Sequence, residues 1–151
     1  MAVLDKHLLK VPIATHPSAD LAATRRQVVR EIVDWLFSPN GTDHGVVELT
    51  FAGSTTPVVR YRRDLLTGAL VDRAVQDAAK AARRQQLSTR VPGGITVELL
   101  TQAFEQQFRA LVDQLTESNV RQYVDLPDGV RVATLRRLAQ PTLLPHQLQR
   151  P

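Results

Sequence analysis

An α+β fold of three main helices and two β-hairpins is predicted by three observations. Apolar residues recur at helical spacing in three long stretches, Leu21 to Phe37, Leu70 to Ala82 and Val97 to Leu115. Runs with strand character flank two turn sequences, Gly53-Ser54-Thr55 and Leu126-Pro127-Asp128-Gly129. The resulting order of strand, helix, hairpin, helix, helix, hairpin lacks the βαβ alternation of a doubly wound sheet.

Lys6 to Ile13 has strand character, with Pro12 confining it to an edge or terminus because proline donates no ladder hydrogen bond. Ser18 is the expected cap of the first long helix, and Asp20 suits the positive end of its dipole. Its apolar face is Leu21, Val28, Val29, Ile32, Val33, Leu36 and Phe37, and Ser38-Pro39-Asn40-Gly41 stops it. The first hairpin joins Gly45–Ala52 to Thr56–Arg62, both rich in β-branched residues. Thr67 then caps the central helix, and Gly68 and Ala69 leave its first turn without bulk. Leu70, Val71, Ala74, Val75, Ala78, Ala79 and Ala82 make one face apolar and mostly small. After Val91-Pro92-Gly93-Gly94, Thr96 caps the third helix. Its stripe of Val97, Leu100, Phe104, Phe108, Leu111 and Leu115 suits that small face. Val120 to Leu138 reads as the second hairpin, and 139–151 as a proline-punctuated flexible tail.

A length of 151 residues fits one domain with flanking tails. Aromatics are sparse, so Leu, Val and Ala must supply most of the burial. The absence of cysteine excludes a disulfide framework, a thiolate metal site and a cysteine nucleophile, and is compatible with a cytoplasmic location. No apolar run approaches a membrane span, and no signal-peptide pattern opens the sequence. The net charge of +4 comes mostly from arginine, clustered at Arg60, Arg62 and Arg63, at Arg83 and Arg84, and at Arg131, Arg136 and Arg137. Such a balance permits nucleic-acid or acidic-partner binding. Tyr61 and Tyr123 stand alone, however, so the interleaving of aromatic and basic residues that stacks bases is missing.

No catalytic residue can be assigned. Neither G-x-x-x-x-G-K-[ST] nor a G-x-G-x-x-G after a strand occurs. His7, His16, His44 and His146 have no metal-ligand spacing, so no metal site is expected and each reads as a surface histidine. Ser54 lacks a nucleophile-elbow context. Asp72 and Asp77, on the polar side of the central helix, read as ion-pair partners for Arg73 or Arg84. The residues taken alone describe a binding or assembly module.

Asp64-Leu-Leu-Thr67-Gly68-Ala69-Leu70-Val71 resembles the [ST]-G-A element that opens the sensor-2 helix in the small lid domain of AAA ATPases. Val47-Glu-Leu-Thr-Phe51, a short turn and Val58-Val-Arg-Tyr61 look like the hairpin insert of the actinobacterial, ring-forming, proteasome-associated ATPases. Gly94-Ile-Thr-Val-Glu-Leu-Leu100 is similar to that family's next lid helix, and Gly129-Val-Arg-Val-Ala-Thr-Leu-Arg-Arg-Leu138 to its last strand. Leu8-Leu-Lys-Val-Pro-Ile13 resembles the strand in which the large ATPase domain ends. The resemblance divides the chain into a terminal strand and linker (1–13), an AAA lid-like domain (14–138) and the tail (139–151).

The resemblance implies that Thr67, Gly68 and Ala69 lie against the adenine and ribose of ATP or ADP held by a partner large domain. It also implies contacts with neighbouring subunits of a hexameric ring. The family's members unfold tagged proteins and feed them to the 20S proteasome, but their docking tail, ending Gly-Gln-Tyr-Leu, is not matched by Gln147-Leu-Gln-Arg-Pro151. The expectation is a lid module that senses nucleotide and helps assemble a ring, without catalysis by itself. Two alternatives stay open: a non-enzymatic adaptor that keeps the lid fold, and a small basic nucleic-acid binder.

Overall fold

The computed structural model describes residues 2–15, 19–37 and 45–138. Among them lie four helices, α1 (Ala2–Leu8), α2 (Leu21–Phe37), α3 (Gly68–Thr89) and α4 (Val97–Gln114), and three strands, β1 (Val47–Phe51), β2 (Val58–Arg60) and β3 (Val132–Arg137). The α+β class is therefore observed. The expected cap Ser18 and the tail 139–151 lie outside the described residues.

The start of the chain departs from expectation, because Ala2–Leu8 is helical rather than part of a strand beginning at Lys6. Leu4 and Leu8 are both fully buried while Lys6 between them is exposed. In a strand, residues 4, 6 and 8 would share one face and carry Lys6 into the core; a helix turns it out. Of the expected strand only a parallel bridge between Ile13 and Ile95 remains. Ile95 N–H donates to the Pro12 carbonyl at 2.9 Å and Ala14 N–H to the Ile95 carbonyl at 3.0 Å.

α2 buries Val28, Ile32 and Leu36, spaced one turn apart. Asp20 is its N-cap in position and chemistry, since its carboxylate accepts the Ala22 N–H at 3.1 Å. α3 and α4 make the most extensive helix–helix contact. The small residues Ala74, Ala78 and Ala82 on α3 and the large residues Leu100, Phe104 and Phe108 on α4 belong to one core, as the complementary stripes lead one to expect. α3 runs past Ala82 to Thr89, because Arg83-Arg84-Gln85-Gln86-Leu87 are good helix formers and no stop signal precedes Arg90.

The sheet is antiparallel with order β2-β1-β3. The first hairpin forms as expected, pairing Val47 with Arg60 and Leu49 with Val58. Val47 and Leu49 face the core, whereas Glu48 lies opposite Arg136 and takes its guanidinium at 3.0 and 3.1 Å.

The second hairpin does not form. Asp128-Gly129 does make a turn, with Gly129 at φ 73°, but Val120–Gln122 is a 3₁₀ turn and β3 pairs with β1 instead. Val120, Val124 and Leu126 are all buried, a need that an alternating strand starting at Val120 would also meet. Polar anchors decide against it. Asn119 closes the chain reversal after α4 by accepting the Thr116 N–H at 2.7 Å and donating to the Gln114 carbonyl at 2.8 Å. The Arg121 guanidinium then takes the carbonyls of Pro127 and Val130, replacing a strand ladder.

Arg137 ties β3 to α4. Its guanidinium donates to the carbonyls of Val112 and Asp113, each at 3.0 Å, and of Leu115 at 2.9 Å, closing the end of the helix where the Val112 carbonyl also accepts the Leu115 N–H. Arg137→Ala is expected to lower stability by about 1–2 kcal/mol, the worth of charge-assisted bonds at a partly exposed helix end. Urea unfolding should show a lower midpoint at unchanged slope.

Candidate functional site

The start of α3 is held from both sides. Leu65, fully buried, anchors the 3₁₀ turn Arg62–Leu65, and Asp64 closes that turn by accepting the Tyr61 N–H at 2.8 Å. Leu66 and Thr67 are extended, and the Thr67 hydroxyl accepts the Leu70 N–H at 3.2 Å. The expected cap is therefore present. Leu70 and Val71 point into the core, whereas Thr67, Gly68 and Ala69 are exposed.

The N–H groups of Gly68 and Ala69 find no acceptor among the described residues, so they remain open at the positive end of the helix dipole. α1 flanks this opening. The His7 imidazole pairs with the Asp72 carboxylate at 3.0 Å, and the Val3 methyl stands 4.0 Å from where a side chain on Gly68 would begin. Val3 is itself 46% exposed, so a small apolar wall borders two free donors. The structure thus brings the three residues singled out from sequence together on one accessible edge. Such an edge can accept an anion or a flat group at close range.

The fold itself does not require glycine at position 68. Its φ is not positive, and nothing but the Val3 methyl comes within 4 Å of an added Cβ. Gly94 is the opposite case, discussed below.

The carboxylates on α3 have partners other than those expected. Asp72 takes His7 and the Gln76 side chain, and Asp77 takes Lys80 at 3.7 Å and the Gln107 amide at 2.7 Å across to α4. Arg73 is adjacent to Asp72 and so points elsewhere around the helix, and Arg84 lies two turns from Asp77. Among the described residues no group of three or more His, Cys, Asp or Glu side chains could hold a metal ion. His16, His44 and His146 lie outside those residues.

Several arginines read from sequence as surface charge have structural roles. Arg62 is 6% exposed, lies 4.8 Å above the Trp35 ring and is 3.8 Å from Glu105. Arg136 and Arg137 are engaged as described above. A continuous basic face on the sheet, which a nucleic-acid binder would need, is correspondingly reduced. Sequence reading missed the buried Arg62 and helix α1. The signal for α1 was the Leu4–Leu8 spacing around a charged Lys6; Arg62 had no local signal.

Four helices packed with a three-stranded antiparallel sheet, with an accessible start to α3, make a small α+β module. The family model described as ARC, AAA+ ATPase lid domain, matches residues 1–148. The chain belongs to that family of AAA+ ATPase lid domains, in agreement with the resemblance drawn from its residues. No curated protein matches it. Membership of an AAA+ ATPase lid family implies association with other subunits of a ring.

Proposed function

We propose that the Thr67-Gly68-Ala69 edge lies against the nucleotide held by the large ATPase domain, so that the lid senses nucleotide and passes its state to ring contacts. The observation that carries this reading is the bare Gly68. A glycine in the first turn gives up helix propensity, and neither backbone angle nor crowding inside this chain calls for it. Close approach from outside supplies the reason. The open N–H groups of Gly68 and Ala69 offer donors to a ribose or phosphate, and Val3 offers an apolar surface to a base.

In the ring ATPase that carries this lid, Gly68→Leu should weaken binding of a fluorescent ADP analogue by about tenfold, equivalent to 1–2 kcal/mol of steric conflict. Gly68→Ala should have a much smaller effect, and the thermal midpoint of the lid should be little changed by either substitution. Unchanged nucleotide affinity in Gly68→Leu would remove the sensing role and favour a pure interaction module.

A further inference from the structure

We propose that the projecting end of α3 is a docking element for an acidic protein segment that inserts an apolar side chain beside Leu87. Ala82 is the last buried residue of α3, yet the helix continues to Thr89, and every residue from Arg83 to Gly93 is exposed. Helix without tertiary support is marginal, so this end has to be held locally. The Ser88 and Thr89 hydroxyls donate to the Gln85 carbonyl at 3.0 and 2.8 Å, and Arg90, left-handed at φ 56°, donates its N–H to the Gln86 carbonyl at 2.9 Å. At its base the projection is rooted by buried Ala82 on one side and by buried Gly94 and Ile95 on the other. These bonds close the end of the helix locally, so the arm is already helical before a partner arrives, which lowers the ordering cost of binding.

Its chemistry specifies the partner. From Ala78 to Val97 there are four cationic side chains, Lys80, Arg83, Arg84 and Arg90, and no acidic one. None of the three arginines makes an ion pair with a described residue. Arg83 and Arg84 lie four and three residues before Leu87 and so share its face of α3, while Arg90 follows at the left-handed end of the helix. Leu87 is 74% exposed and Val91 62%, the two most exposed large apolar side chains among the described residues. At the foot of the arm a groove of about 250 Å³ runs between α3 and α4, with Arg84, Ala81 and Leu99 in its wall beside Asp77, whose carboxylate is already taken by Lys80 and Gln107. Apolar anchors ringed by arginine fit an acidic amphipathic protein segment, since burying Leu87 contributes affinity and the arginines set charge and register. A phosphate backbone would leave Leu87 and Val91 against a charged surface, and no aromatic side chain stands on the arm to stack a base.

The test is a fluorescence-anisotropy titration of the full chain with three probes. They are a labelled amphipathic helical peptide with leucines on one face and glutamates on the other, the same peptide with glutamine for glutamate, and duplex DNA. The acidic peptide should bind more tightly than either of the others. Leu87→Ser should weaken it by about tenfold, as loss of a central anchor does, and paired Arg83→Gln and Arg84→Gln by about tenfold through lost charge complementarity. Thermal unfolding should be unchanged in all variants, because these side chains are exposed. Equal binding of the glutamine peptide, tighter binding of DNA, or an acidic-peptide affinity indifferent to Leu87→Ser would overturn the proposal.

Discussion

Phe104→Ala is expected to lower the free energy of unfolding by about 3–5 kcal/mol, the range for removing a fully buried aromatic ring. The sequence holds only four phenylalanines and one tryptophan, and three of these five rings, Trp35, Phe104 and Phe108, meet here. Phe104 is 0% exposed, with ring centroids 6.3 Å from Trp35 and 6.2 Å from Phe108. Arg62 extends this series by covering the outer face of Trp35 at 4.8 Å. One ring therefore joins α2, α4 and the turn that leads into α3. The remaining lining is mostly alanine, valine and leucine on rigid helices, so the cavity left by alanine cannot readily collapse. Since small domains are stable by only about 5–15 kcal/mol, the variant should lie near its unfolding threshold. Urea unfolding provides the measurement. A loss below about 1.5 kcal/mol would show that the aromatic cluster repacks as freely as a volume-conserving swap.

The helices α2, α3 and α4 were legible because each combines an apolar period with a local start signal. Thr67 and Thr96 have the capping bonds expected of them, to Leu70 and Leu99, each at 3.2 Å. The first hairpin was legible for a similar reason, with β-branched runs on both sides of a tight turn. What was not legible depends on partners distant in sequence. Arg137 acts as a cap for α4 only because β3 crosses beside β1, and Arg121 replaces a strand ladder only because Pro127 and Val130 return to it. The pairing of β3 with β1 spans more than eighty residues, so the Asp128-Gly129 turn signal was sound while the partner inferred from it was wrong. At the candidate site, sequence identified the small residues, but the flanking Val3 belongs to α1, a helix the sequence reading missed when it assigned Lys6 to Ile13 to a strand.

Gly94→Ala should cost on the order of 3 kcal/mol, more than alanine normally costs a loop, because the space for its methyl is already occupied by backbone. An added Cβ would lie 2.5 Å from the Ile13 carbonyl carbon, 2.6 Å from the Ala14 nitrogen and 2.8 Å from the Pro12 carbonyl oxygen. These atoms cannot rotate aside as the end of a side chain can. They also belong to the bridge that holds Pro12–Ala14 to Ile95, so relieving the clash means breaking bonds at 2.9 and 3.0 Å. Gly68→Ala is the internal control, since it adds the same methyl in open space and should be neutral or slightly stabilising through helix propensity. The consequence reaches the candidate site. The Pro12–Ala14 segment continues directly from α1, which places Val3 beside Gly68 and His7 against Asp72. In Gly94→Ala the amide resonances of Gly68 and Ala69 should therefore shift along with those of α1. If they stay in place while stability falls, the buried Leu4 and Leu8 and the ion pairs of Asp5 and His7 hold α1 on the core without help, and the bridge at Ile95 is a separate fastening with no influence on the start of α3.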